Sequence, residues 1–383
     1  MASEVALRVL VLGNLPPHVL GGAENQIARL VEQWRQAGVH VEVAGHRIPE
    51  GEQQLGAQRV RTHRLRAWAS GGRAGRALGY FLSLARLARQ RPDFDIAYCR
   101  GLGDGAVALA ILATLGLCRW RLVACPINAR GTGDIAFLRS IPGWRLWCLL
   151  LDRQLVALNL INPLIADDLD TVGIRQPPRS HIPNGIPLKQ PLPRQCVGSV
   201  RRLVWTGRME PQKGLDLLLP ALAECRAAGH CFELRLFGNG PLQAALEAQV
   251  ATLGLADCVS FPGPLPASAV RDALREADVF VLPSRYEGMS NAALEAMEAG
   301  LPVLCTRCGG IDAAVAEGAG WVCAPDDPAA LTQALLAMFE SHDQTLLDCG
   351  QQARALVEAR YDIEVIARAN LDWLKQVKAE SHR

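Results

Sequence analysis

The chain has 383 residues, enough for two or three ordinary domains and too many for a peptide or a disulfide scaffold. Half of the residues are hydrophobic and a fifth are charged, and 35 glycines with 23 prolines are an ordinary globular share, which excludes a disordered or collagen-like chain. The net charge of +2 hides an asymmetry, because residues 1–195 carry +10 and the remainder −8.

The longest apolar run, Ala106 to Cys118, falls short of the roughly 18 to 20 residues that span a bilayer. The N-terminus also lacks a basic region followed by an apolar core, so the expected location is the cytoplasm, with the inner membrane face as a candidate place of work. The 12 cysteines are scattered, and the single CxxC (Cys305, Cys308) has no second pair to complete a zinc site, so they read as free thiols, mostly buried.

In chain order, Leu7 to Leu12 is a short apolar strand, and Ala23 to Ala37 places Ile27, Leu30, Val31 and Trp34 on one helical face before Gly38. Val39 to Ala44 resumes a strand, completing a βαβ unit. Its first loop, Gly13 to Gly22, carries Pro16, Pro17 and the pair Gly21-Gly22 where a dinucleotide fingerprint would have GxGxxG. Backbone there can still approach an anion at a helix start. Residues 53–92 hold nine arginines and no acid, interleaved with Leu65, Trp68, Tyr80, Phe81, Leu84 and Leu87. The segment 57–91 therefore suits an anionic membrane surface or an anionic substrate, or else is the solvated face of an arginine-biased protein.

Further apolar segments follow at Ile96 to Cys99, Arg121 to Cys125, Leu155 to Leu160 and Ser180 to Ile182. A proline-rich stretch from Pro187 to Ser199 reads as a linker. Beyond it strands (Arg202 to Thr206, Phe232 to Phe237, Val259 to Phe261, Val279 to Leu282, Pro302 to Cys305) alternate with helices (Leu215 to Ala227, Leu242 to Leu253, Ala267 to Glu276, Asn291 to Ala299). This rhythm predicts two α/β, doubly wound parallel sheets, residues 1–190 and 200–360, joined by 191–199, with a ligand cleft between them. A last helical segment within 361–383 is expected to pack back on the first domain.

The stretch 277–306 is the richest in chemistry. A strand ends at Pro283, a loop carries Glu287 and Gly288, and Ser290 is a natural N-cap. Glu287 in the loop and Glu295 in the second helical turn can face one cleft, flanking the amides of Met289, Ser290 and Asn291 at the positive helix end. Carboxylates accept paired hydroxyls, so this suits a sugar attached to a phosphate; an exposed helix glutamate and a turn cap are the plain alternative. Arg208 and Lys213, expected in a loop between strand and helix, can clamp a diphosphate or be two solvated charges. Gly238 to Pro241 again follows a strand and opens a helix.

The order and spacing of GGAEN (21–25), IPNGI (182–186), GRMEPQKG (207–214), FGNGP (237–241), VSFPG (259–263) and SRYEGMSNAALEAMEAGLPVL (284–304) resemble the retaining, nucleotide-sugar-dependent glycosyltransferases of family 4. The resemblance covers the whole chain and is strongest in its second half. It implies a GT-B fold, with two Rossmann-like domains across a cleft, the donor held mainly by the second and the acceptor mainly by the first. By position, it implies that Arg208 and Lys213 neutralise the donor diphosphate, Glu295 accepts from the ribose hydroxyls, and Glu287 holds the transferred sugar with Gly288, Met289 and Ser290. Gly21 and Gly22 would approach the diphosphate or sugar, Gly263 and Pro264 the nucleobase. Gly238, Gly240 and Asn291 complete the substrate-binding set, and no metal or cofactor is implied.

Many relatives carry a histidine after a first-domain strand, where this chain has ACPINARGTGDI (124–135). Asn128, Arg130 or Asp134 stands in its place, and the leaving phosphate oxygen can itself take the acceptor's proton. The expected activity is therefore transfer of a sugar from a nucleoside diphosphate, UDP ahead of GDP, to a lipid-linked or surface-polysaccharide acceptor. A nucleotide-sugar epimerase and a non-catalytic nucleotide-sugar-binding protein are the alternatives. No nucleic-acid module is present to give the basic half another partner.

Overall fold

A computed structural model describes residues 7–19, 21–67, 72–128, 133–191 and 200–380. Arg130, Trp68 and most of the expected linker lie outside the described residues. The chain divides into two units, Met1–Gly185 with Ile363–Arg383, and Ile186–Asp362.

The first unit runs β1 (Arg8–Leu12), α1 (Gly22–Gln36), β2 (His40–Gly45), β3 (Gly51–Leu55), β4 (Gln58–Arg64), α2 (Gly72–Gln90), β5 (Ile96–Arg100), α3 (Asp104–Thr114), β6 (Arg121–Cys125), α4 (Asp134–Arg139), α5 (Trp144–Gln154), β7 (Leu155–Asn159), α6 (Leu164–Thr171) and β8 (Arg179–Ser180). Its sheet has the order β3-β4-β2-β1-β5-β6-β7-β8. Central strands are apolar apart from the arginines at their ends, Arg8, Arg100 and Arg121, as strands covered by helices on both faces must be. Not every pair is parallel: Gly56, at φ +54°, turns β3 back antiparallel onto β4 as an edge hairpin, which the sequence reading did not anticipate.

Within this sheet a buried carboxylate is held by three partners. Glu42 on β2 is 3% exposed and meets His63 Nε2 at 2.5 Å, His40 Nε2 at 3.0 Å and Arg91 Nη1 at 2.6 Å. Burial alone would raise its pKa, but the hydrogen bonds and charges of His63 and Arg91 outweigh it and hold the group at about 2, below its ordinary 4.5. A depressed carboxylate stabilises the fold above its unfolded pKa and loses that contribution as pH falls through the folded one. Between pH 4.5 and 2 the wild type should therefore lose about 3 kcal/mol from this group. Glu42→Gln should be less stable at neutral pH and lack this part of the acid slope, as read by urea denaturation at stepped pH.

The second unit runs β9 (Arg201–Arg208), α7 (Leu215–Ala227), β10 (Phe232–Asn239), α8 (Gln243–Thr252), β11 (Val259–Gly263), α9 (Ala267–Arg275), β12 (Val279–Leu282), α10 (Asn291–Glu298), β13 (Val303–Thr306), α11 (Asp312–Ala314), β14 (Gly320–Cys323), α12 (Pro328–Phe339) and α13 (Asp343–Arg360). All six strands are parallel, in the order β11-β10-β9-β12-β13-β14. Leu203, Trp205, Leu218, Leu222, Leu234, Leu236 and Val281 are among its fully buried core. The last helix, α14 (Ile363–Ala379), belongs to the first unit, where Trp34 Nε1 donates to Ala367 O at 3.1 Å.

Two boundaries move. The first unit ends at Gly185 rather than 190, because Ile186 pairs with Asp362, Lys189 N donates to Glu298 Oε1 at 2.9 Å and Arg354 reaches Lys189 O at 2.7 Å. The second unit correspondingly extends to Asp362 rather than 360. The described cysteines are all free, and most are buried.

Candidate functional site

In a parallel sheet, ligands are met outside the carboxyl ends of strands whose connections diverge. In the second unit that point lies between β9 and β12: the chain leaves β9 toward β10 and later returns to the other side of β9 as β12. Two loops rise there, 209–214 and 283–290. Two hydrogen bonds join them: Arg285 N donates to Gln212 O at 2.8 Å, and the Gln212 side chain donates through Nε2 to Tyr286 O at 2.9 Å. A Cβ on Gly214 would come within 2.0 Å of Pro283 O, and with φ at +65° only glycine fits. Arg285 then locks the pair through a bidentate bridge to Asp216 at 2.8 Å.

This zipper brings Lys213 to Glu287. Nζ lies 2.6 Å from Glu287 Oε1, which also accepts from Ser284 Oγ at 2.7 Å. Glu287 is 5% exposed, and its amide donates to Cys308 O at 2.7 Å. Ser284 is fixed from behind, because Thr306 Oγ1 donates to its carbonyl. The glutamate is therefore more than a turn cap: it is a buried, oriented acceptor with a cation beside it.

Arg208 differs from expectation. It is the last residue of β9 rather than a loop residue, because the β9–β10 ladder continues through Gly207↔Gly238 and Arg208↔Asn239. Its side chain is 71% exposed and pairs with Glu210 at 2.8 Å, a contact weak enough for a ligand to replace. Gly238 and Asn239 likewise end a strand. A Cβ on Gly238 would lie 1.8 Å from Gly207 O, and one on Gly240 2.4 Å from Met209 O, so both glycines are demanded by close packing of two backbones. Gly263, at φ +87°, ends β11 with nothing near its absent Cβ, and Pro264 beside it is exposed.

Ser290 caps α10 as expected, its Oγ accepting from Ala293 N at 3.3 Å. Gly288, Met289 and Ser290 are buried; Asn291 and Glu295 are half-buried. What packs against Gly288 and Met289 was missed by the sequence reading: the loop after β13, Cys308-Gly309-Gly310-Ile311. A Cβ on Gly310, at φ +81°, would meet Gly288 O at 2.5 Å and Met289 Cα at 3.0 Å. A second glycine pair after an apolar strand was the signal available.

In the first unit, Gly21 is the N-cap of α1 and Gly22 its first residue. At φ −172° any residue could adopt the Gly21 backbone, and an added Cβ would meet only the movable end of Glu24. Asn128 is half-buried. Asp134 is not available as a base: its oxygens accept from Leu102 N at 2.7 Å and Ile127 N at 2.6 Å, pinning two loops, and burial raises its pKa. Among the described residues no group of three His, Cys, Asp or Glu is arranged to hold a metal ion, and none of the helices is long and apolar enough to cross a membrane.

With this geometry in hand, known proteins can be compared. Residues 21–185 match the glycosyl transferase 4-like domain and residues 200–341 the glycosyl transferases group 1 domain. The amylovoran biosynthesis glycosyltransferase AmsK of Erwinia amylovora is 29% identical over 244 residues, 62% of this chain and 56% of that one. The chain spans about half the length of the curated relatives it first matches. Among solved structures, sucrose-phosphate synthase of Thermosynechococcus elongatus superposes with a TM-score of 0.80 at 19% identity, covering 97% of this chain and 100% of that one. HepE of Anabaena, solved with UDP and glucose, gives 0.76 at 18% identity over 97% and 100%. Each unit thus matches a glycosyltransferase domain model, and the fold is GT-B.

Proposed function

We propose that this chain is a retaining, metal-independent glycosyltransferase that moves a sugar from a UDP-sugar to a surface-polysaccharide or lipid-linked acceptor. The observation that carries the reading is the pairing of half-buried Lys213 with buried Glu287 at the β9/β12 crevice, with Arg208 at its rim. A cation within hydrogen-bonding reach of a sugar-binding carboxylate places positive charge where a leaving diphosphate accumulates negative charge. Arg208 and Lys213 take the role that a divalent cation plays in other transferases. Glu295 accepts from the ribose and Gly263 and Pro264 border the base, while Glu287 and the Gly288–Asn291 backbone grip the sugar. Gly238 and Gly240 shape the crevice. The leaving phosphate oxygen takes the acceptor's proton on the face where the new bond forms. The UDP complex of HepE and the polysaccharide role in AmsK's name support donor and acceptor class.

A thermal-shift series with UDP, GDP and their sugars tests the donor. UDP at 100 times its Kd should stabilise the fold by about 2.7 kcal/mol, and GDP at the same concentration by less. A radiolabelled UDP-sugar incubated alone should yield no epimer; an epimer would favour the alternative enzyme class.

The reading extends to an anionic membrane, with a correction to the basic segment. It is not one amphipathic face: Leu65, Leu84 and Leu87 are core, and Arg91 is committed to Glu42 and Asp93. Exposed leucines occur instead on three elements packed side by side, Leu78 and Leu82 on α2, Leu115 and Leu117 at the end of α3, and Leu146 and Leu149 on α5. Arg76, Arg86, Arg89, Arg119, Arg145 and Arg153 are exposed among them, α2 has no acid, and Asp152, the one acid of α5, is buried. Leu78→Ser with Leu146→Ser should sharply lower co-flotation with anionic liposomes; equal recovery on neutral and anionic vesicles would remove the membrane from the proposal.

A further inference from the structure

The first unit has its own point of divergence, between β1 and β5, and the residue that ends β5 there is Arg100. Its guanidinium is half-used. Nη2 donates to Asn184 Oδ1 at 2.6 Å and Nη1 to Cys125 Sγ at 3.1 Å, a weak acceptor. Nε is buried without a partner. No carboxylate among the described residues pairs with Arg100; the nearby Asp134 spends its oxygens on backbone amides.

The surroundings are built and rigid. The segment that carries Asn184 is held by Asn159, which bonds Ile182 through both its nitrogen (2.9 Å) and its oxygen (2.7 Å). From α1, Gln26 brackets Gly185 at 2.8 and 3.2 Å, and Arg29 reaches the same carbonyl at 3.3 Å. A second guanidinium thus borders the segment beside Asn184. A half-buried guanidinium with an unpartnered Nε, held by a neutral amide and a thiol with only the amide-bound Asp134 carboxylate nearby, is under-satisfied. A planar fork with an unused donor is the shape that receives an oxyanion.

We propose that Arg100 is the anion-recognition group of the acceptor site, receiving a phosphate or carboxylate carried by the acceptor in the β1/β5 crevice. The proposal rests on the glycosyltransferase reading, and it narrows the acceptor class to molecules bearing such a group near the attacking hydroxyl.

The test uses the full chain saturated with UDP, so that the donor's phosphate site is occupied, and the probes are inorganic phosphate and acetate against chloride at equal ionic strength. Phenylglyoxal modification of Arg100, followed by peptide mass spectrometry, should slow several-fold with at least one of the two anions. Phosphate or acetate binding to the UDP-saturated protein should weaken at least tenfold in Arg100→Met, while UDP affinity stays at the wild-type value. Equal labelling in all three salts overturns the proposal. So does protection of Arg100 by UDP alone, which would give this arginine to the donor's diphosphate. Should Arg100→Met fail to fold, the wild-type labelling decides by itself. Absence of UDP binding would instead defeat the function proposed above, a distinguishable result.

Discussion

Lys213→Met is expected to lower kcat/KM for sugar transfer by about 10²- to 10³-fold, the scale seen when one donor to a developing anion is removed from a water-poor site. Two losses combine. The departing diphosphate loses a charge that is held in place before the reaction begins. Glu287, almost wholly buried, loses the Nζ partner at 2.6 Å that compensates its carboxylate. Glu287→Gln separates the two, because it keeps Lys213 while removing the acceptor charge beside Ser284. Single-turnover rates at saturating donor should fall in both variants, but UDP affinity should fall mainly in Lys213→Met. A Lys213→Met enzyme with wild-type rates would sink the site assignment. Arg208→Ala should cost less, since its exposed side chain must first leave Glu210 and be ordered on the ligand.

The alternation of apolar strands with helical faces was enough to place both parallel sheets, because strands covered on both sides must be apolar throughout and Ile27, Leu30, Val31 and Trp34 mark one buried stripe. What escaped was set by tertiary contacts. Strand β9 runs on to Arg208 because β10 offers it partners through Asn239, and no local propensity announces that. The polar hairpin strand β3 has little apolar pattern to read. At the site, Glu287 and Lys213 were legible as residue types, but their 2.6 Å contact depends on Gly214 lying against Pro283, 69 residues away in sequence. Asp134 stood in sequence as one candidate for the place of the relatives' histidine; in three dimensions it is a staple between two loops. Arg100 drew no notice because an unpartnered Nε is a property of the folded neighbourhood and not of the sequence.

Gly310→Ala should do damage out of proportion to one methyl group. At φ +81° the backbone already resists a side chain, and the new Cβ would press on Gly288 O at 2.5 Å and Met289 Cα at 3.0 Å. These are backbone atoms with no rotamer to swing aside, so the 287–290 loop must move. A stability loss of about 1–3 kcal/mol is expected from the strained φ alone. The catalytic effect should be larger than that suggests, because a displacement of about 1 Å at a positioning loop costs about 10²-fold in rate. Gly318→Ala is the matched control: it shares a positive φ, +98°, but its Cβ would meet only Gln352 Cγ at an ordinary 3.6 Å. Urea midpoints and kcat/KM measured on both variants separate strain from displacement. Both should lose stability, and Gly310→Ala alone should lose transfer; if the two lose transfer equally, the 308–311 loop does not brace the sugar-binding backbone and Glu287 is held in place without it.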